Sequence, residues 1–468
     1  MLNTIKCRAA AFFAATLICS NVLAELPVIP GSAGFGMNTP AGRGGRIIRV
    51  TNLHDSGAGS LRNCAEASGP RICIFEVSGT IRLSSNLTVS HPYVTIAGQT
   101  APAPGIMLRE ATLKIKSSDV LVQHLAVRPG DDPNGPLADA RDALSISGNP
   151  VSLRNVVIDH LSLSWAVDEN FETYKDWDNV TISNTIVSEP LRDSLMSGAH
   201  GYGALIDTDK NYGKISLIGN LFAHGHARNP RTGAPDFVFV NNVIYNAGNA
   251  AVMLYNVHGI ATKSSIVGNV FIDGLNTTTT WPVRLTGSDD GSGLNGMLSE
   301  SRVYVADNLA PGATADPWSI VDNQSPINLS KLTSFSAPSW PERLKASPTR
   351  DDIVLKNVLN NAGSRPGQRD VVDSRIIGDV KKRTGRIINC VADDGSSRCE
   401  KNAGGWPKLA ENTRSLSVPS DPNGDDDDDG YTNTEEWLHD MAAEVEGRAN
   451  SIVPDEGLAP PKPPKLQD

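Results

Sequence analysis

A recurring short, β-branched run is the feature that most constrains this chain. From about residue 90 the copies include Val94-Thr95-Ile96, Val120-Leu121-Val122, Val156-Val157-Ile158, Val180-Thr181-Ile182, Ile215-Ser216-Leu217, Phe237-Val238-Phe239, Ser265-Ile266-Val267 and Val303-Tyr304-Val305. Most steps are roughly 22 to 36 residues, the range of solenoid coils with loops of variable length. The runs read as continuous apolar segments, as strands of a parallel stack buried on both faces must. At 468 residues the chain exceeds what one compact core usually holds, and a solenoid resolves that difficulty. Its 42 glycines outnumber all its aromatics together, which favours short strands and turns over helix bundles.

Several copies place an asparagine just after the strand: Asn184, Asn220, Asn242, Asn269 and Asn308. Amides at one bend of successive coils can hydrogen-bond along the stack and satisfy buried turn groups, so a ladder of these five is expected. The rhythm fades over 361–420, which is expected to wrap the side of the solenoid or cap its end. Residues 421–450 combine an acidic loop with a short helix, and the Pro-rich stretch 451–468 is expected to be disordered.

The N-terminus bears on the compartment. Lys6 and Arg8 precede an apolar stretch from Ala9 to Ile18, and Val22-Leu23-Ala24 offers small residues for cleavage, so 1–24 reads as a secretory signal peptide. Beyond it stand Cys64 and Cys73, then Cys390 and Cys399, two short-range pairs that suggest local disulfides in an oxidising compartment. The expectation is a secreted monomer, extracellular or periplasmic, with no membrane partner. A net charge of −10 argues against nucleic acid as a partner. It also opposes a polyanionic ligand unless a cation lies between the two.

Cation chemistry is legible twice. Asp425, Asp427 and Asp429 alternate through an acidic run, followed by Gly430, Tyr431, Asn433 and Glu436. Together they fill the D-x-[DN]-x-[DN]-G-x5-E calcium-loop pattern: hard cations want several carboxylate oxygens, and the glycine permits the sharp turn. Its expected role is structural. The second group lies mid-solenoid, in Arg141-Asp142-Ala143-Leu144, Ile158-Asp159-His160, Asp168-Glu169-Asn170-Phe171-Glu172, His200-Gly201-Tyr202-Gly203 and Arg228-Asn229-Pro230-Arg231. Equivalent points of stacked coils lie about 4.8 Å apart, so carboxylates of consecutive coils can converge on one cation with arginines beside them.

Gly31-Ser32-Ala33-Gly34-Phe35-Gly36, the stretch from Val50 to Arg62 and Ile96-Ala97-Gly98-Gln99-Thr100-Ala101-Pro102 resemble the opening of polysaccharide lyase family 1 pectate lyases of the fungal pectate lyase C type. Ile158-Asp159-His160 to Glu169 and Arg228-Asn229-Pro230 resemble its active-site coils. The resemblance implies an all-β fold, a right-handed parallel β-helix over 25–360, and calcium-assisted β-elimination on (1→4)-α-D-galacturonan, the acidic polysaccharide of pectin. Ca2+ would bridge enzyme and uronate carboxylates, and Arg228 would take the proton from C5. Asp142, Asp168 and Glu172 match the calcium ligands, although Glu172 stands where an aspartate is usual. Arg192, Arg231 and His200 are the candidate substrate contacts. The R-x-P-x-x-R-x-G form is broken, because position 233 is Gly and Arg231 is the nearest replacement. Asp159 and His160 are expected to support the fold, and His200, His224 and His226 to pack or meet substrate rather than bind a transition metal. Two other classes stay open. A β-helix pectin hydrolase would draft Asp168 with Glu169 or Glu172, and a non-catalytic carbohydrate-binding solenoid would use the same carboxylates only for structural calcium.

Overall fold

The computed structural model describes residues 26–448 apart from 138–139, 197, 257–258, 280, 288–295 and 342–350. The expected signal peptide and the Pro-rich tail lie outside the described residues. Among these, no helix is long and apolar enough to cross a membrane.

One turn of the chain shows how the sequence builds the coil. Val94–Ala97 pairs in parallel with Val120–Gln123 of the next turn, Ile106–Arg109 with Leu125–Val127, and Leu113–Ile115 with the start of Leu144–Asp159. Repetition gives three parallel ladders. Ladder one runs from Arg46–Val50 to Arg302–Ala306. Ladder two is the eight-stranded sheet from Gly79–Arg82 to Val270–Ile272. Ladder three runs from Leu87–Val89 to Val321–Asn323. Leu144–Asp159 and Glu169–Ser183 are long enough to round a corner, which joins ladders one and three into one 17-stranded sheet. The fold is all-β, a right-handed parallel β-helix.

Alternate residues of each ladder point inward. Val94, Ile96, Leu113, Ile115, Val120, Val122, Leu144 and Ile146 are fully buried in one continuous core. Each such side chain contributes roughly 1.5–3 kcal/mol by leaving water. Outward positions of ladder three form a second row, in which register aligns Lys114, Ser145, Glu172, Leu205, Arg231 and Met253.

The asparagine ladder forms with four members, not five. The side chains of Asn220, Asn242 and Asn269 donate to the next amide oxygen at 3.0, 3.0 and 2.9 Å, ending on Asn308. Asn184 stands one position earlier in its turn, with φ 47°, and gives its amide to Asp159 instead. Thr185 takes the place in line with the ladder, its backbone N–H bonding Asn220 Oδ1. A one-residue offset moves a side chain to a different side of the turn, which residue type alone does not reveal.

Helices Asp351–Asn361 and Val371–Lys382 lie along ladder two. Val354, Val358, Ile376 and Val380 pack on Ile186, Leu221, Val243 and Tyr245. Arg128, fully buried, clamps this segment through Asp370 and Asp373 at the start of the second helix. Cys64–Cys73 and Cys390–Cys399 are both disulfide-bonded.

Candidate active site

The site forms where the chain turns from ladder two into ladder three, on four consecutive coils. In the first, Asp142 precedes Leu144–Asp159, and its Oδ1 accepts the backbone N–H of Glu169 at 3.2 Å. In the second, Asp168 and Glu169 open the strand Glu169–Ser183. Their turn is set from within by Asn170, which accepts from the Ala166 N–H and donates to the Ser188 carbonyl. Beneath it Trp165 is fully buried and donates to Glu189, which holds Arg375 at 2.6 and 2.8 Å. The third carries Tyr202 at the start of the strand Tyr202–Ile206, and in the fourth Arg228 sits at φ 56° in the turn before ladder three. Gly203 permits that approach, because a Cβ there would fall 2.8 Å from the Arg228 carbonyl oxygen.

Oxygens of Asp142, Asp168 and Glu169 lie within 4.8 Å of one another. Asp142 and Glu169 are buried, at 8% and 3% exposure. Burial, then the charges of Glu172 and Asp168, pushes the Asp142 carboxyl well above the usual range. Burial and Asp168 push Glu169 up likewise, against the pull of Arg228. Asp142 and Glu169, both held above the usual range, form with Asp168 a crowded donor set for a hard cation, which would relieve their repulsion.

Arg228 forms an ion pair with Glu169 through Nη1, and its guanidinium carbon stands 3.8 Å from the centre of the Tyr202 ring. His200 lies against the same ring, at 4.8 Å between centroids, with Nε2 3.8 Å from Asp168 Oδ1. Arg231 stacks over Tyr255 at 4.6 Å in the outward row of ladder three. Arg192 pairs with Asp193 at 3.0 Å, and its carbonyl accepts the His200 N–H.

Asp142, Asp168, Arg228 and His200 are therefore brought together. Glu172 lies alongside: it accepts the Ser145 hydroxyl at 2.7 Å and is near enough for its charge to act on Asp142. The close third carboxylate is Glu169, which the sequence reading drafted only for the hydrolase alternative. Tyr202, the platform under Arg228, was not singled out at all. Its signal was Gly201 and Gly203 on either side, which clear the space the neighbouring turns fill.

No family model matches the chain. Among curated proteins it is similar to "Probable pectate lyase C" of Aspergillus oryzae, 31% identical over 445 residues, covering 92% of this chain and 94% of that one. The same-named protein of Aspergillus terreus is 31% identical over 464 residues, covering 95% and 98%. Solved structures that resemble it include jun a 1, the major allergen from cedar pollen, with TM-score 0.49, 18% identity and coverage of 71% and 92%. A pectate lyase bound to hexasaccharide has TM-score 0.48, 15% identity and coverage of 74% and 99%. With relatives of that identity matched over nearly their whole length, the chain belongs to the pectate lyases and is a polysaccharide lyase.

Proposed function

We propose that this enzyme is exported and cleaves (1→4)-α-D-galacturonan by β-elimination with calcium as cofactor, releasing 4,5-unsaturated oligogalacturonides. The observation that carries the reading is Arg228 set against Glu169 beside two further carboxylates, all opening on ladder three. Asp142, Asp168 and Glu169 would hold calcium, with Glu172 at their side. Calcium bound there supplies the positive charge that offsets the uronate carboxylate and acidifies the proton at C5.

The residues of the chain do the rest. Arg228 is the group placed to remove the C5 proton, and to do so its guanidinium must first be neutral. A carboxylate in contact favours the charged form, so the base needs the Glu169 charge offset, which a cation held by Asp142, Asp168 and Glu169 would supply. Tyr202 keeps the guanidinium plane fixed while that partner changes. Arg231 meets a substrate carboxylate from the outward row, and Arg192 and His200 border the turn above it. An acidic chain could bind an acidic polymer here because Arg228 and Arg231 stand beside carboxylates that would hold a cation. The two disulfides fit an oxidising compartment.

A second calcium is proposed for the C-terminal loop. Asp425, Asp427 and Asp429 place oxygens within 4.8 Å of one another, Gly430 turns at φ 97°, and Tyr431 anchors the loop by donating to the Pro27 carbonyl at 2.7 Å. The Glu436 carboxyl is pushed up by loss of hydration, then by Asp427, Asp429 and Asp425, as expected of a group turned toward them.

The test is ultraviolet absorbance of unsaturated uronide released from polygalacturonate, with calcium and with chelator, for the wild type and Arg228→Ala. A calcium-dependent rise that disappears in the variant is expected. Reducing ends released without absorbance would overturn the elimination reading.

A further inference from the structure

The outward row of ladder three extends past the catalytic corner on both sides. Beyond Met253 its register continues to Arg284 and Asp322. Three cations therefore stand in one line, and they are not equivalent. Arg284 is offset by its neighbour in the row: its Nε lies 3.3 Å from Asp322 Oδ2, which also accepts from Gln324 at 2.8 Å. Arg231 stands two coils past Glu172 and stacks over Tyr255 at 4.6 Å. Lys114 stands two coils before Glu172, on the other side of the carboxylate trio.

Lys114 alternates with the buried Leu113 and Ile115 in its strand, so its side chain leaves the core and is half-buried at the surface. Among the described residues its ammonium joins no ion pair, although its positive charge is felt by the Asp142 carboxyl in the next coil. Glu172 is the nearest carboxylate within the row, but it is two coil steps away, about 9.6 Å along the stack. It also takes the Ser145 hydroxyl at 2.7 Å, which holds it in place. A lysine that keeps its charge on the floor of a groove without a carboxylate partner is a place for a ligand anion.

Lys114 and Arg231 are four coil steps apart, about 19 Å along the axis. The trio of Asp142, Asp168 and Glu169, with Arg228 against it, lies at the corner beside that interval. Leu205, half-buried between Glu172 and Arg231, offers a sugar ring an apolar floor. A linear polyuronate along ladder three would set one carboxylate on the cation held by the trio and others toward the two ends.

Resting on the galacturonan reading above, we propose that Lys114 is a substrate-binding residue that holds a uronate carboxylate at the end of the groove opposite Arg231. Its part is to position the polymer, not to move a proton. Lysine suits that part, since a compact ammonium on a flexible stem meets a carboxylate from several directions.

The experiment titrates hexagalacturonate, in calcium, into the Arg228→Ala protein by isothermal calorimetry, with Lys114→Gln or Lys114→Arg added to it. Lys114→Gln should weaken binding by ~10-fold, and Lys114→Arg should restore it. Calcium affinity measured without sugar should not fall in Lys114→Gln, because removing a positive charge near Asp142 favours a cation. With Arg228 intact, Lys114→Gln should raise KM for polygalacturonate by ~10-fold and leave kcat nearly unchanged. Loss of hexagalacturonate affinity in Lys114→Gln and Arg231→Gln should add in the double variant, as expected of two contacts so far apart. Unchanged binding in Lys114→Gln would overturn the proposal. So would a loss matched by an equal loss of calcium affinity, which would make Lys114 only a support of the trio, or a fall in kcat at unchanged KM. A parent protein that binds no hexagalacturonate would overturn the galacturonan reading and this inference with it. Failure of the elimination chemistry alone shows separately, as missing ultraviolet absorbance in the wild type.

Discussion

Replacing Asp142 by Asn removes one charge from the carboxylate cluster and little else. Its oxygens lie within 4.8 Å of those of Asp168 and Glu169, and the side chain is buried. Two unit charges at that separation repel by ~3.5 kcal/mol at an effective dielectric of about 20. Solvent at Asp168, whose side chain is 27% exposed, and the charges of Arg228 and Lys114 cut that figure, leaving ~1–2 kcal/mol. The bond from the Glu169 N–H survives, since Asn Oδ1 accepts it equally well. The sign follows from the raised Asp142 carboxyl: a buried acid held above its ordinary range destabilises the folded, cation-free chain as pH rises through that range.

Asp142→Asn in chelator at neutral pH should therefore be more stable than wild type by ~1–2 kcal/mol, and it should lose the added stability that saturating calcium confers through this site, about 2.7 kcal/mol at a hundredfold excess over Kd. Urea unfolding followed by tryptophan fluorescence measures both, with Trp165 and Trp177 buried in the fold. Making the comparison in an Asp425→Asn background removes the share of the C-terminal loop. A variant less stable than wild type in chelator, or one that keeps the full calcium effect, would refute the reasoning.

Because Asp142 and Glu169 both bind protons more tightly than ordinary carboxyls, the half-saturating calcium concentration should rise as pH falls from neutral toward that raised range; isothermal titration showing no such change would contradict it. Glu189 is the opposite case. Burial pushes its carboxyl up, but the hydrogen bonds and charge of Arg375, with help from His224 and Trp165, hold it below the ordinary 4.5. Its contribution is present above that value and is lost as pH falls through the lowered one. Glu189→Gln should destabilise by about 2–4 kcal/mol at neutral pH, the partial exposure of Arg375 (37%) moderating the loss, and should flatten the acid limb of a denaturation profile. Asn242→Ala removes two bonds from Asn220 and two more to Leu217 and Asn269. It should lower stability by ~2–4 kcal/mol, read from the urea midpoint, whereas a change under ~0.5 kcal/mol would show that the ladder is incidental.

The sequence by itself was enough for the repeat, the all-β solenoid and the two local cysteine pairs. Each follows from short-range pattern: β-branched runs at coil spacing, and cysteines too close in sequence to need a long closure. The ordered motifs likewise pointed to Asp142, Asp168 and Arg228. What only the tertiary structure decided was convergence. Coil steps vary, with 22, 27 and 39 residues between successive asparagines of the ladder, so which side chains meet across coils depends on loop length and on single left-handed residues in the turns. That is why Glu169 rather than Glu172 closes the tight trio, why Tyr202 comes to lie under Arg228, and why Asn184 leaves the ladder for Asp159. It is also why Lys114 and Arg231, in different coils, come to stand in one row. Their spacing along the chain matches no short motif, because the row is made by the stacking of coils.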